Sequence, residues 1–138
     1  MLGIQPDAGL GLVDSERVKG IEEGANASVK STLTAQADGT QANATTIPPA
    51  AQLVRVNTVA GAADSVKLPF AIAGAVKLIA NDSAAQLAVF ARNGTNRATG
   101  TTDTINALAN GTAFAIAAGG RAAFFCPVNG KWFAILSA

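Results

Sequence analysis

The stretch that decides the fold lies near the end of the chain, where residues 124–136 read FFCPVNGKWFAIL. Asn129-Gly130 separates two apolar runs, and Asn-Gly supplies the two positive-φ residues that a type I′ turn requires. We therefore predict a β-hairpin here. Trp132 and Phe133 are consecutive on its second strand, so one ring faces the core and the other faces solvent or a partner. Core packing is the favoured interpretation of both Trp132 and Phe133, and a partner-binding platform is the alternative.

Short β-rich runs separated by Gly, Asn, Asp and Pro extend upstream from this hairpin as far as Val29. Such spacing is typical of an all-β sandwich or barrel, and residues 29–138 are predicted to form that domain. Asn81-Asp82-Ser83 predicts a second hairpin, with Val76 and Leu78 on one face of its first strand and Lys77 on the solvated face. The polar stretch 92–104 is expected to be the longest loop. The nine predicted strands span residues 29–35, 45–47, 52–58, 66–68, 76–80, 87–92, 113–117, 122–126 and 131–136.

Residues 1–28 differ from this domain and are predicted to form an N-terminal arm. They hold five glycines and most of the acidic residues, without a sustained period of two. A short helix over residues 14–23 is an equally good alternative, although Gly20 inside it costs about 1 kcal/mol relative to Ala. The arm is too apolar for a free tail, so we expect a neighbour to bury part of it. Its candidate partner-binding residues are Leu2, Ile4, Leu10, Leu12 and Val13.

Composition limits the partners of this chain of 138 residues. Only 14% of the residues are charged and the formal net charge is +1, so neither nucleic acid nor an anionic membrane is expected to bind. The sequence shows no signal peptide and no apolar run of about 20 residues, which predicts synthesis in a cytosol. Five Asn-x-Ser/Thr triplets are then better explained as turns than as glycosylation sites.

The sequence has few side chains suited to catalysis. It contains no His and a single Cys, so we predict no enzyme activity, no metal site and no cofactor. Cys126 lies in an apolar run and is expected to be a buried, inert thiol, while the adjacent Glu22 and Glu23 are interpreted as solvated charges. Three arginines could meet a phosphate, a sugar or an acidic subunit, or could simply keep the surface soluble. They are Arg92, Arg97 and Arg121.

The region from about residue 50 to residue 138 resembles the head decoration, or cement, proteins of tailed phages. The segments that carry this resemblance are residues 64–69 (DSVKLP), 73–76 (AGAV) running into Asn81-Asp82, 87–90 (LAVF), 103–108 (DTINAL), 117–122 (AAGGRA) and 130–132 (GKW). The resemblance implies a jelly-roll-like antiparallel sandwich, and the extended N-terminal arm predicted from composition precedes it. It also implies self-association as a dimer or trimer and binding to the major capsid protein. The residues 1–28 do not share the pattern.

From the resemblance and the composition together we expect a structural virion protein on the outer capsid surface, made in the host cytoplasm. In this interpretation Arg92, Arg97 and Trp132 join the arm residues as candidate contacts. The alternative is a carbohydrate- or receptor-binding module of a phage fibre or tail, which predicts an outward-facing Trp132. An enzyme is a distant third possibility, which a broad hydrolase screen would test.

Overall fold

The computed structural model describes residues 30–37 and 39–137, and within them it contains β-strands and no helix, which confirms the all-β prediction. The predicted arm, residues 1–28, lies outside the described residues. The strands are β1 (Lys30–Thr34), β2 (Thr45–Thr46), β3 (Leu53–Thr58), β4 (Ser65–Lys67), β5 (Val76–Asn81), β6 (Leu87–Phe90), β7 (Thr95–Asn96), β8 (Thr101–Thr102), β9 (Thr104–Ile105), β10 (Phe114–Ile116), β11 (Arg121–Val128) and β12 (Lys131–Leu136).

The first six strands alternate between two sheets, so that the chain coils like a β-solenoid. β1, β3 and β5 are parallel neighbours in a six-stranded sheet, and β2, β4 and β6 are parallel neighbours in a four-stranded sheet. Parallel neighbours need a crossover connection, and here each crossover is a strand of the other sheet. The predicted antiparallel jelly roll is therefore wrong for this half of the chain, because each strand leads into the facing sheet instead of turning back beside itself.

The remaining strands complete the two sheets. The six-stranded sheet has the order β1-β3-β5-β11-β12-β9, and β11 is antiparallel to both of its neighbours. The four-stranded sheet has the order β10-β6-β4-β2, and β7 and β8 form a separate antiparallel pair. All nine predicted strands are present with small shifts of their ends. The predicted loop at 92–104 instead contains β7, β8 and the start of β9, which are too short to show any periodicity.

The hairpin predicted at Asn129-Gly130 is confirmed, but its turn type is not. Gly130 has a φ of 86°, whereas Asn129 is not among the residues with positive φ, so the turn is not type I′. Asn129 Oδ1 accepts a hydrogen bond from Ala73 N at 2.8 Å, and Gly130 N donates to Ala71 O at 2.9 Å. These contacts with the preceding loop hold the turn in its observed form.

The hairpin predicted at Asn81-Asp82-Ser83 is wrong, because β5 and β6 belong to different sheets. The side chain of Asn81 is buried, and its Nδ2 donates to the carbonyl oxygens of Ala85, Ile116 and Ala117 at 2.7–3.1 Å. Asn81 thus connects residues 82–86, which cross from one sheet to the other, to the end of β10 instead of forming a tight turn.

The hydrophobic core lies between the two sheets. Trp132, Phe124 and Ile79 enter it from the six-stranded sheet, while Leu87 and Ile116 enter it from the four-stranded sheet. Trp132 is completely buried, and its indole N–H donates to the carbonyl oxygen of Pro69 at 3.3 Å. The core interpretation of Trp132 agrees with this placement, whereas that of Phe133 does not, because Phe133 is 39% exposed.

Candidate functional site

The outer face of the six-stranded sheet is unusually apolar. We call the outward-pointing residues Leu53, Val76, Leu78, Phe125, Phe133 and Ile135 the apolar face. Leu78 is 46% exposed and Ile135 is 61% exposed, and Val76 and Phe133 are exposed to a similar degree. A sheet normally presents polar side chains on its solvated face, so the contiguous apolar residues indicate a surface that another element covers.

Strand register places these side chains side by side. Phe125 is paired with Val76 on β5 and with Phe133 on β12, and the two phenylalanine rings stack with centroids 5.9 Å apart. Leu78 is paired with Leu53 on β3 and with Ala123 on β11. Cross-strand neighbours at this spacing touch one another, so the residues form one continuous patch across four strands.

The patch is apolar partly because of the orientation of strand β5. The face of β5 predicted to lie in the core is the outer one, and the face predicted to be solvated is the inner one. Lys77 is 2% exposed and points inward, whereas Val76 and Leu78 point outward. The ammonium of Lys77 donates to the carbonyl oxygens of Pro48, Pro49 and Ala51. These three acceptors keep the lysine inside the protein and thereby place its apolar neighbours in solvent.

A shallow groove of about 740 Å³ runs along one end of this outer surface. Leu78, Ala123 and Ile135 contribute to its floor, and Lys30 and Arg121 to its border. Arg55 also lines the groove and forms an exposed ion pair with Asp82, with Arg55 Nε donating to Oδ2 at 2.7 Å. An apolar floor beside charged side chains is the usual anatomy of a protein-binding surface.

Of the candidate partner-binding residues predicted from sequence, the three that the structure describes, Arg92, Arg97 and Trp132, do not line this groove. Leu2, Ile4, Leu10, Leu12 and Val13 lie outside the described residues. Trp132 is buried and presents no part of its ring to a partner, so the outward-facing indole that the carbohydrate-binding alternative predicts is not observed.

The three arginines have different surroundings. Arg92 is half-buried, and its guanidinium lies over the ring of Phe70, 5.1 Å from the centroid. Arg97 is exposed in the segment between β7 and β8, while Arg121 borders the groove at the start of β11. Arg92 thus packs as a cation on an aromatic ring, and Arg121 is the arginine of the three that adjoins the apolar face.

Another buried polar side chain, that of Asp103, lies in a hydrogen-bond network. The carboxylate of Asp103 is fully buried and accepts hydrogen bonds from Ala71 N at 2.7 Å and Asn96 Nδ2 at 2.8 Å. Asn110 Nδ2 donates to the main-chain oxygen of Asp103 at 2.7 Å. This network joins the β7–β8 segment to the core, because buried polar atoms require partners to offset their desolvation.

Lys67 is a second buried lysine, on the face of the four-stranded sheet that points away from the core. Its ammonium donates to Ala42 O at 3.0 Å and to Asn93 Oδ1 at 2.9 Å, and burial together with the nearby Arg92 lowers its pKa. The two contacts connect β4 to loops on either side, so Lys67 fixes local structure. Among residues 30–37 and 39–137 no three His, Cys, Asp or Glu side chains cluster in a way that could hold a metal ion.

Cys126 is buried, and its burial raises the pKa of the thiol. Because the thiolate is the reactive form, we expect a disulfide reagent such as DTNB to label the native protein at least about 100-fold more slowly than the urea-unfolded protein at pH 8. The absorbance of the released thiol measures both rates. Rapid stoichiometric labelling of the native protein would show that this thiol is accessible.

Sequence reasoning missed the apolar face, although one signal for it is present. Residues 132–136 are apolar at consecutive positions, whereas a strand with one solvated face alternates. A strand that is apolar on both faces is expected to be covered on both, as it is in a fully buried sheet.

No protein-family model, curated protein or solved structure matches this chain. The part of the chain that the structure describes contains no helix long and apolar enough to cross a membrane.

Proposed function

We propose that this chain is a structural virion protein that decorates and stabilises the outer surface of a tailed-phage capsid by bridging subunits of the major capsid protein. The observation that supports this proposal is the apolar face. Such a face is typical of proteins that work by contacting other proteins, because water contact with a continuous apolar patch is unfavourable.

The contact surface in this proposal has two parts. One is the apolar face, and the other is the N-terminal arm, residues 1–28, which contains Leu2, Ile4, Leu10 and Leu12. The arm leads directly into β1, the edge strand of the sheet that carries the face. Each bound subunit stabilises the assembled shell, since a partner that binds only the assembled state favours that state by mass action.

The experiment compares decoration of phage heads by the wild type and by Leu78→Glu. We expect the variant to lower occupancy on the heads by at least about tenfold, because burying an unpaired carboxylate in an interface costs several kcal/mol. Quantitative gel analysis of purified heads measures the occupancy, and thermal release of DNA measures capsid stability.

Val128→Glu is the matched control. Val128 is 50% exposed on the same sheet but does not line the groove, so we expect this variant to bind heads nearly as well as the wild type. Circular dichroism checks that both variants fold, and light scattering on the same samples measures the predicted dimer or trimer. Equal occupancy of Leu78→Glu and wild type would contradict the proposal.

A further inference from the structure

We propose that residues 1–29 of the same molecule pack on the apolar face and cover it. The inference concerns the isolated protein before it binds a capsid; contact between the face and a capsid, as in the proposed function, requires the segment to leave the face. The occupant is thus a segment of this chain.

The described chain begins at the border of the groove. Lys30 is the first residue of the edge strand β1, is paired with Leu53 of the apolar face, and itself lines the groove. Residues 24–26, a few positions before Lys30, are Gly-Ala-Asn, a composition that favours a turn. At up to about 3.3 Å per residue, the remaining residues are long enough to cross six strands spaced by about 4.8 Å more than once.

The segment and the face have complementary chemistry. Residues 1–29 contain five acidic and two basic side chains, whereas the rest of the chain contains eight basic and four acidic ones. The segment also contributes apolar side chains, among them Leu10, Leu12 and Val13, to match the floor of the groove. Lys30 and Arg121 lie at the groove border, where they can meet the acidic residues of the segment.

The size of the face favours an attached segment over a second copy. Four strands spaced by about 4.8 Å, each contributing five residues at about 3.4 Å, cover roughly 300 Å². A stable interface between separate proteins buries about 800 Å² on each partner, so two apolar faces alone would be too small, and a capsid contact must also include surface outside the face. A segment already tied to Lys30 has an effective concentration in the millimolar range and needs far less contact area.

Trypsin provides the test, because Arg17 and Lys19 are cleavage sites within the segment. We expect both sites to be cut at least about tenfold faster in the full-length double variant Leu78→Asp/Ile135→Asp than in the wild type, since a released segment is open to the protease. Mass spectrometry of the fragments gives the rates. Arg121→Glu is expected to accelerate the same cleavages severalfold, and it supplies a second variant if the double variant does not fold.

Val128→Asp is the matched control and should leave the cleavage rates of the wild type unchanged. Equal rates at Arg17 and Lys19 in the wild type and in both groove variants would overturn the inference. Protection of the wild type that increases with protein concentration would also overturn it, because the covering segment would then belong to a second copy. No capsid is present in this experiment, so its result is independent of the head-binding measurement above.

Discussion

Replacing Trp132 with alanine should lower the free energy of unfolding by about 4 kcal/mol, the range expected when a large buried aromatic side chain is truncated. The indole is completely buried among residues of both sheets, and its N–H donates to Pro69 O at 3.3 Å. The variant therefore leaves a cavity and also an acceptor without its donor. Urea denaturation followed by circular dichroism measures the change, since the variant has no tryptophan to report fluorescence.

Phe133→Ala is the matched control, because Phe133 is the next residue on the same strand and is 39% exposed. We expect it to cost about 1 kcal/mol, mainly from the lost stacking with Phe125. Trp132→Phe keeps most of the volume and is expected to fall between the two, so the comparison stands even if Trp132→Ala does not fold. Equal losses for Trp132→Ala and Phe133→Ala would show that the core is not centred on the indole.

Local signals in the sequence predicted the strands well, because turns and alternation are properties of adjacent residues. Asn129-Gly130 lies between two apolar runs that are long enough to pair, and these runs form the β11–β12 hairpin. The turn type was missed because it depends on Ala73 and Ala71, which are far away in sequence. Local chemistry thus locates a turn, and tertiary contacts select its form.

The connectivity of the sheets could not be predicted from alternation alone. β1, β3 and β5 begin at residues 30, 53 and 76, a regular interval of 23 residues that is typical of stacked coils. The repeat is visible in the spacing of the strands and not in their amino-acid identities. The three strands share almost no residues, since they read KSTLT, LVRVNT and VKLIAN. The hairpin predicted between β5 and β6 failed for this reason.

The candidate site was missed because one lysine lies on the unexpected side of its strand. Polarity alone places Lys77 in solvent and Val76 and Leu78 in the core. The carbonyl oxygens of Pro48, Pro49 and Ala51 reverse that preference, and no sequence pattern predicts that three acceptors from one distant loop will meet. The apolar face is the consequence of this reversal, which makes the energetics of Lys77 directly testable.

Lys77→Met should lower the free energy of unfolding by about 2 kcal/mol at pH 7. Methionine fills the channel of the lysine stem but cannot donate, so the three carbonyl oxygens lose their shared partner, at a cost of about 1–3 kcal/mol for each group that stays buried. Removal of the desolvated charge offsets part of this loss. Urea denaturation of the variant and the wild type measures the difference, and a more stable variant at pH 7 would show that charge desolvation outweighs the hydrogen bonds.

The pH dependence of this difference identifies the ammonium as its cause. Burial lowers the pKa of Lys77 below its ordinary value of 10.5, so the folded protein releases this proton at a lower pH than the unfolded chain does. Between those two pKa values the unfolded state binds more protons, and the stability contributed by Lys77 therefore rises with pH. The wild type should gain stability relative to Lys77→Met as the pH approaches 10.5, whereas Lys131→Met, at an exposed position on the same sheet, should stay close to the wild type at pH 7. A gap between wild type and Lys77→Met that narrows on the alkaline side would contradict the assignment of a buried, charged lysine.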